Sequence, residues 1–206
     1  DLFRAMPPAD PSRYVRGQYR GYRGIDDVAA DSETETYVAL QLGIDNWRWE
    51  GVPFFIRAGK QMPVDATEVR IVFQRPPRLG IGGRTVPDAN ELIIRMKPDP
   101  GAELCLIAKR AGEEALHRVH LDLFFEEQVG EQPEPYERLL RDAIRGNFEL
   151  FPGQDSVEQT WRIVQPLLDV DLAPEPYEPG SWGPRAAERL LANHGGWRQP
   201  WVGHRS

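Results

Sequence analysis

Residues 34–60 read TETYVALQLGIDNWRWEGVPFFIRAGK, and apolar side chains alternate along the first part of this stretch. The residues that share one face under this alternation are Val38, Leu40, Leu42 and Ile44. A period of two predicts a half-buried β-strand. The apolar segment at 52–59 predicts a second, more buried strand. Because only a short connection joins these two strands, we expect them to pair antiparallel.

Four later segments alternate in the same way and predict further strands. They are TEVRIVFQ at 67–74, ELIIRMKP at 91–98, ELCLIAKR at 103–110 and RVHLDLFFEE at 118–127. Residues 1–32 are rich in Pro, Gly and Asp and are predicted to be irregular. Val72, Ile93 and Ile107 add apolar surface on the sheet face away from the predicted helices. That surface predicts association of the chain with itself.

The last third of the chain predicts helices. The predicted helices are PYERLLRDAIRGN at 135–147, a segment with a capping box at Ser156 and Gln159, and a short one from Pro184 to about Gly195. Pro166 is expected to kink or end the second helix near its middle. Strands followed by helices predict the α+β class, with a large, mainly antiparallel sheet and helices packed on one face. Residues 1–206 are expected to form a single domain.

Composition narrows the possible partners. The net charge of −7 argues against nucleic acid, because phosphate binding needs clustered Lys and Arg. No apolar run approaches the roughly 20 residues that cross a bilayer, so no membrane partner is expected. Cys105 is the only cysteine, which is compatible with a reducing cytoplasm. The chain starts without an apolar secretory segment or an initiator Met, so we expect a cytoplasmic fragment of a longer protein.

Most of the residues that could carry chemistry have a structural explanation. His117 and His120 are three residues apart on a predicted strand and should face opposite sides, so no metal site is expected. The glycines at 80–83 precede no predicted helix and are expected to form a hairpin loop rather than a phosphate cradle. Cys105 is expected to be a small buried residue, and the six tryptophans are expected chiefly to pack.

Lys60 is the strongest candidate for a binding residue. It follows the predicted strand at 52–59, with Arg57 just behind it and Gly59 permitting a turn. An ammonium group released at a strand end suits an anionic ligand. A solvated strand end without a ligand is the alternative interpretation.

Seven blocks of the chain resemble the glucose-6-phosphate dehydrogenase family in their order and spacing. They are VRGQY at 15–19, residues 33–60, TEVRIVF at 67–73, NELIIRMKP at 90–98, YERLLRDAIRGN at 136–147, WRIVQPLLD at 161–169 and PYEPGSWGP at 176–184. The blocks WEGVPFFIRAGK and YEPGSWGP carry the most specific signal. Trp182, where animal members carry Arg, resembles the bacterial members.

The resemblance implies an enzyme that oxidises glucose 6-phosphate to the phosphogluconolactone of the pentose phosphate pathway and reduces NADP, or NAD in some members. The family's coenzyme loop, of the form GxxGDLxxR, and its His base precede the VRGQY block. Neither appears in these 206 residues, so we expect no catalytic or coenzyme-binding residue here and no activity of this chain alone. The matching half of the family contributes to the sugar-phosphate site and to a homodimer or tetramer interface.

The resemblance also assigns roles to individual positions. Lys60 matches the family's substrate-contacting lysine. Asp65 stands where a second cation is usual. Arg57, Arg70 and Arg95 match part of a set that holds a second, structural NADP in animal members. The positions that depart from that set are Ala66, Glu103, Cys105 and Trp182, so no structural NADP is expected.

Two other interpretations belong to different functional classes. One is a noncatalytic dimerisation or regulatory module derived from the same family. The other is an unrelated α+β sugar-binding domain, which requires the whole ordered set of blocks to be coincidence.

Overall fold

The computed structural model describes residues 2–76, 88–113, 115–130 and 135–200. The chain divides into two compact units. The first is formed by Asp1–Pro63 with Arg141–Arg198, and the second by Val64–Leu140 with Gln199–Ser206. The glycine loop predicted at 80–83 lies outside the described residues.

Strands dominate the middle of the chain, and helices follow them. The strands are β1 (Tyr14–Tyr19), β2 (Tyr37–Leu42), β3 (Phe54–Gly59), β4 (Thr67–Val72), β5 (Glu91–Lys97), β6 (Gly101–Lys109), β7 (Leu116–Phe124) and β8 (Glu175–Tyr177). The α-helices are α1 (Phe125–Val129), α2 (Pro135–Arg145) and α3 (Gln154–Leu168). Short 3₁₀ helices occupy Phe3–Ala5, Pro11–Arg13, Tyr22–Gly24 and Arg185–Leu191.

The first unit contains a four-stranded sheet in the order β3-β2-β1-β8. β1, β2 and β3 pair antiparallel, whereas β8 lies parallel to β1 with Gly17 opposite Glu175. The antiparallel pair predicted from residues 34–60 is therefore confirmed. The prediction that residues 1–32 are irregular is wrong at Tyr14–Tyr19, because β1 is an interior strand between β2 and β8.

Both faces of this first sheet are packed. On one face Tyr14 and Leu40 cluster with Leu167 of α3. On the other face Ala39 clusters with Leu191 of the last 3₁₀ helix. Consecutive strand residues face opposite sides of a sheet, so Ala39 and Leu40 enter different cores. β2 is thus buried on both faces rather than half-buried, and helices cover both faces of this sheet rather than one.

The second unit contains an antiparallel sheet in the order β4-β5-β6-β7. One of its faces carries the buried charged residues Glu91, Arg95 and Glu103. Large apolar residues are exposed on the opposite face, at Val69, Ile71, Ile94, Met96, Val119, Leu121 and Leu123. The sequence prediction of apolar exposure at Ile93 is wrong, because Ile93 lies on the charged face and is buried.

The α+β class and the mainly antiparallel pairing are confirmed, with one correction. Within the described residues, the strands form two four-stranded sheets rather than one large sheet. α2 forms as predicted and is followed by Gly146, whose φ of 70° suits the residue after a helix end. The third predicted helix forms as the shorter 3₁₀ helix at Arg185–Leu191. The single domain over residues 1–206 stays a prediction.

The boundaries of α3 differ from the prediction. α3 begins at Gln154 with Gly153 before it, so Ser156 lies inside the helix and the predicted capping box is wrong. Pro166 lies in the last turn and α3 continues to Leu168, so the helix does not end near its middle. Among the helices of the described ranges, none combines the length and the apolar character needed to cross a bilayer.

Candidate functional site

The candidate site is the turn that follows β3 in the first unit. Both backbone groups of Lys60 are hydrogen-bonded: its N–H donates to the carbonyl oxygen of Thr36 at 2.8 Å, and its own carbonyl accepts from the Tyr177 hydroxyl at 2.8 Å. Gln61 has a φ of 51°, and its carbonyl accepts the N–H of Gly180 at 2.7 Å. The backbone of the turn is therefore held on both sides by residues distant in sequence.

The Lys60 side chain extends from this fixed backbone into solvent. Within the described ranges, no hydrogen bond or ion pair engages its ammonium group. The turn thus presents a positive charge whose base is rigid and whose tip is available to an anion. The structure places Lys60 where the sequence pattern predicted, immediately after the strand that ends at Gly59.

A short hydrogen-bond chain orients the hydroxyl that holds Lys60. The Tyr19 N–H donates to the Thr36 hydroxyl oxygen at 3.0 Å, and that hydroxyl lies 3.0 Å from the Tyr177 hydroxyl. A carbonyl oxygen can only accept, so the Tyr177 proton goes to the Lys60 carbonyl, with the Thr36 carbonyl at 3.1 Å as a second acceptor. The Thr36 hydroxyl is then the donor to the Tyr177 oxygen. Burial raises the pKa of Tyr177, so the hydroxyl keeps the proton that it donates.

The ring of Tyr37 fills the space beneath the turn and explains two motif glycines. A Cβ atom on Gly59 would lie 2.8 Å from the Tyr37 ring, and one on Gly183 would lie 2.2 Å from it. Gly183 also has a φ of 95°, which a side chain rarely adopts. The glycines of the RAGK and GSWGP blocks are thus both required by one aromatic ring.

Tyr37 is almost fully buried, at 1% exposure, and desolvation raises its pKa to about 12. No partner for its hydroxyl oxygen exists among the described residues. The ring serves as a packing element of the site, and its hydroxyl is an unsatisfied polar group.

Arg57 does not share the exposed position of Lys60. Its guanidinium lies 4.8 Å from the ring centroids of both Trp182 and Trp197, and it donates to the Arg198 carbonyl at 3.2 Å. Stacking between two tryptophans is a favourable setting for a guanidinium. Arg57 therefore packs against both rings, and Trp182 and Trp197 are packing residues, as predicted. The prediction is wrong for Trp47 and Trp161, which are 85% and 56% exposed.

The remaining positions singled out by the resemblance belong to the second unit. Asp65 is exposed there. Arg70 binds the Glu91 carboxylate at 2.9 Å, and Arg95 binds the Asp122 carboxylate at 2.6 Å. Both arginines are thus engaged by acidic groups of their own sheet.

The two histidines on β7 face opposite sides, as the strand period predicted. His117 contacts Glu113 at 2.5 Å, whereas His120 contacts Glu103 at 2.5 Å. Cys105 is buried, as predicted, and lies 3.5 Å from the His120 ring nitrogen. Sequence reasoning missed this grouping, because only the register of β6 with β7 brings Cys105 opposite His120.

The chain matches a known protein family over almost its whole length. The family described as "Glucose-6-phosphate dehydrogenase, C-terminal domain" matches residues 1–201, and the chain belongs to this family. The relatives that the chain resembles include the "Glucose-6-phosphate 1-dehydrogenase 1" of Mycobacterium tuberculosis (strain ATCC 25618 / H37Rv), with 50% identity over 203 residues. That match covers 98% of this chain and 43% of the relative, so the chain spans less than half the length of the curated relative.

Two solved structures have a similar fold. The glucose-6-phosphate 1-dehydrogenase from Mycobacterium avium matches with a TM-score of 0.89 and 48% identity, over 98% of this chain and 44% of that one. A second structure is described as glucose-6-phosphate dehydrogenase in complex with its substrate glucose-6-phosphate. It matches with a TM-score of 0.82 and 31% identity, over 97% of this chain and 44% of that one.

Proposed function

We propose that this chain is the carboxy-terminal part of an enzyme that oxidises glucose 6-phosphate to 6-phosphogluconolactone with NADP, a step of the pentose phosphate pathway. The similarity to glucose-6-phosphate dehydrogenases along nearly the whole chain supports this function. The description of one similar structure as a complex with glucose-6-phosphate supports the substrate. The compartment proposed for the reaction is the cytoplasm.

The observation that carries the proposal is the geometry of Lys60. Its backbone is fixed through both N–H and C=O, and its side chain is exposed. A long side chain on a rigid base loses less entropy on binding than one on a mobile loop. A charge-assisted hydrogen bond from its ammonium group to a sugar phosphate is worth about 1.5–3 kcal/mol. Lys60 is thus the proposed substrate contact of this chain.

In the proposed function, residues outside this chain carry out the hydride transfer. Hydride transfer needs a base for the hydroxyl proton and a nicotinamide close to the sugar. We assign both to residues that precede this chain in a longer protein. Because Arg57, Arg70 and Arg95 are engaged by groups of the protein, we propose no structural NADP here.

Self-association completes the proposal. Of the residues that the structure describes, seven large apolar ones are exposed on one face of the second sheet. An exposed apolar surface of this kind usually marks an interface, and a twofold dimer is the commonest closed assembly. The proposed assembly is a homodimer, or a tetramer built from dimers.

Substitution of Lys60 by Ala in the complete protein tests the function. We expect kcat/KM for glucose 6-phosphate to fall roughly tenfold to more than a hundredfold. The affinity for NADP is expected to stay nearly unchanged, because Lys60 contacts the sugar phosphate and not the coenzyme. Steady-state formation of NADPH, with each substrate varied in turn, measures both quantities.

Lys109→Ala is the matched control. Lys109 is also an exposed lysine at a strand end, and its loss should leave kcat/KM within twofold of the wild type. A Lys60→Ala protein that folds normally and also stays within twofold would remove Lys60 from the site. A complete protein without any turnover of glucose 6-phosphate would instead favour the noncatalytic module.

A further inference from the structure

A cluster of three side chains on the charged face of the second sheet has the composition of a metal site. Cys105 and Glu103 lie two residues apart on β6 and therefore share a face. The register of β6 with β7 places His120 directly opposite Cys105. The three offer a thiol sulfur, a carboxylate oxygen and an imidazole nitrogen, all within 4.8 Å of one another.

We propose that Glu103, Cys105 and His120 bind a divalent transition-metal ion, with Zn²⁺ the best fit. Zinc is bound by just these three kinds of ligand, and a carboxylate with a thiolate would neutralise its charge. Mg²⁺ and Ca²⁺ are excluded by the thiol and imidazole ligands, because they prefer oxygen alone.

The distances between the ligand atoms support this geometry. The Cys105 sulfur lies 3.3 Å from Glu103 Oε1 and 3.5 Å from His120 Nδ1. Ordinary zinc–ligand bonds in a tetrahedron separate such atoms by about 3.3–3.6 Å. The third pair of ligand atoms, His120 Nδ1 and Glu103 Oε1, lies 2.5 Å apart. These two atoms have to separate by roughly 1 Å to bind the same ion. A rotation of the half-exposed His120 ring provides that movement.

A buried oxygen of Glu103 is a second, independent indication of a ligand. The Glu103 side chain is 6% exposed, and its Oε2 atom has no hydrogen-bond partner among the described residues. Within the same residues, His120 is the only basic group at ion-pair distance from this carboxylate. A buried carboxylate oxygen without a partner is costly, and a bound cation would compensate it.

The cluster leaves one coordination position open. The His120 side chain is 51% exposed, whereas Glu103 and Cys105 are buried, so an ion would enter from the His120 side. Three protein ligands with a water in the fourth position are the usual arrangement of an open zinc site.

Titration of the complete protein with Co²⁺ as the probe tests the site. After removal of bound metal with a chelator, Co²⁺ is expected to bind with one equivalent per chain at this cluster. A thiolate-to-cobalt charge-transfer band in the near ultraviolet should appear with that equivalent, and Zn²⁺ should abolish it. The band reports a metal–sulfur bond, so it is independent of dehydrogenase activity.

Three variants test whether the cobalt band comes from this cluster. Cys105→Ser should remove the band, and His120→Ala should weaken Co²⁺ binding at least tenfold, the smallest effect usual for groups that support a metal ligand. His117→Ala is the matched control, because it removes a histidine from the same strand but the opposite face, and it should bind like the wild type. Absence of the band in the wild type, or its persistence in Cys105→Ser, would refute the site. If Cys105→Ser fails to fold, unchanged binding in His120→Ala would refute it equally.

Discussion

Two tyrosines position the Lys60 turn by different physical means. Tyr177 acts through its hydroxyl, which donates to the Lys60 carbonyl at 2.8 Å. Tyr37 acts through its ring, which occupies the space that side chains at Gly59 and Gly183 would need. Removal of either hydroxyl leaves the aromatic ring in place. The two Tyr→Phe substitutions therefore separate the hydrogen-bonding role from the packing role.

Tyr177→Phe should loosen the turn and destabilise the protein. The substitution leaves the Lys60 carbonyl without its donor and the Thr36 hydroxyl, which still accepts from Tyr19, without its acceptor. This loss costs about 1–3 kcal/mol in the free energy of unfolding. In the complete protein we expect KM for glucose 6-phosphate to rise while kcat changes little, because Tyr177 holds the backbone of Lys60, the proposed substrate contact. Denaturant unfolding and steady-state kinetics measure the two effects. An unchanged KM in a destabilised protein would restrict Tyr177 to a structural role.

Tyr37→Phe should have the opposite effect on stability. The Tyr37 hydroxyl is buried without a partner among the described residues, so its removal is expected to leave the free energy of unfolding equal or to raise it by up to about 3 kcal/mol. A loss of more than about 1 kcal/mol at neutral pH would contradict this expectation and would indicate a hidden partner for the hydroxyl.

The same substitution changes the response to alkaline pH. The pKa of Tyr37 is raised to about 12 from an ordinary value of 10.0, so the folded state holds the proton more tightly than the unfolded state. This contribution to stability is complete below pH 10 and is lost as the pH rises from 10 towards 12. Between pH 10 and pH 12 the wild type should therefore lose unfolding free energy, whereas Tyr37→Phe should not lose this contribution. Denaturant unfolding of both proteins across that range measures the difference.

At the scale of elements, the β6–β7 pair depends on one glycine at its end. A Cβ atom on Gly101 would lie 2.2 Å from the Leu123 carbonyl oxygen and 2.5 Å from the Arg95 guanidinium. The carbonyl belongs to the neighbouring strand and cannot turn aside as a side chain would. The close approach of β6, β7 and the buried Arg95 therefore requires a residue without a side chain at this position.

Gly101→Ala is expected to lower the free energy of unfolding by about 1–3 kcal/mol or more, the range for forced overpacking. Gly43→Ala is the control, because a Cβ atom there meets nothing within 4 Å, and it should change stability by less than about 0.5 kcal/mol. Thermal or denaturant unfolding of the two variants provides the comparison. Equal stability of the two variants would show that the backbone at this end of β6 and β7 shifts to accommodate a side chain at residue 101.

Elements with a strong period of two were predictable, and those defined by distant pairing were not. β2 to β7 carry alternating or apolar runs bounded by turn residues, and all six form. β1 was missed because Arg16 and Gln18 interrupt its apolar pattern, although both are held by hydrogen bonds inside the protein. β8 has only three residues and exists because it pairs with β1.

The candidate site was predictable at Lys60 but not in its surroundings. A lysine after an apolar strand and a glycine is a local pattern, and the structure places it as expected. Its supports, Thr36 and Tyr177, are 141 residues apart and are brought together only by the tertiary fold. The pairing of Cys105 with His120 depends likewise on strand register, which alternation alone does not determine.

At the scale of the whole molecule, the proposed function separates binding from chemistry. The purified 206-residue chain should associate in solution yet give no NADPH from glucose 6-phosphate and NADP. The apolar face of the second sheet is the reason for the first result. The reason for the second is the proposed assignment of the base and the coenzyme loop to residues that precede this chain. Light scattering measures the association, and absorbance measures the formation of NADPH. Turnover that persists after removal of contaminating enzymes would overturn the division of labour, and a strictly monomeric chain at tens of micromolar would contradict the association.

The parallel pairing of β8 with β1 has a consequence for biosynthesis. Residues 17–19 leave the ribosome long before residues 175–177, their partners in the sheet. At roughly 5–20 residues per second, the 141 residues between Thr36 and Tyr177 take about 7–28 s to translate. During that interval β1 has an unpaired edge, and the backbone of Lys60 lacks the Tyr177 hydroxyl. Nascent chains stalled before residue 177 should therefore depend more on chaperones than chains that have passed it, and the Lys60 turn gains its full set of hydrogen bonds only after residue 177 has been made.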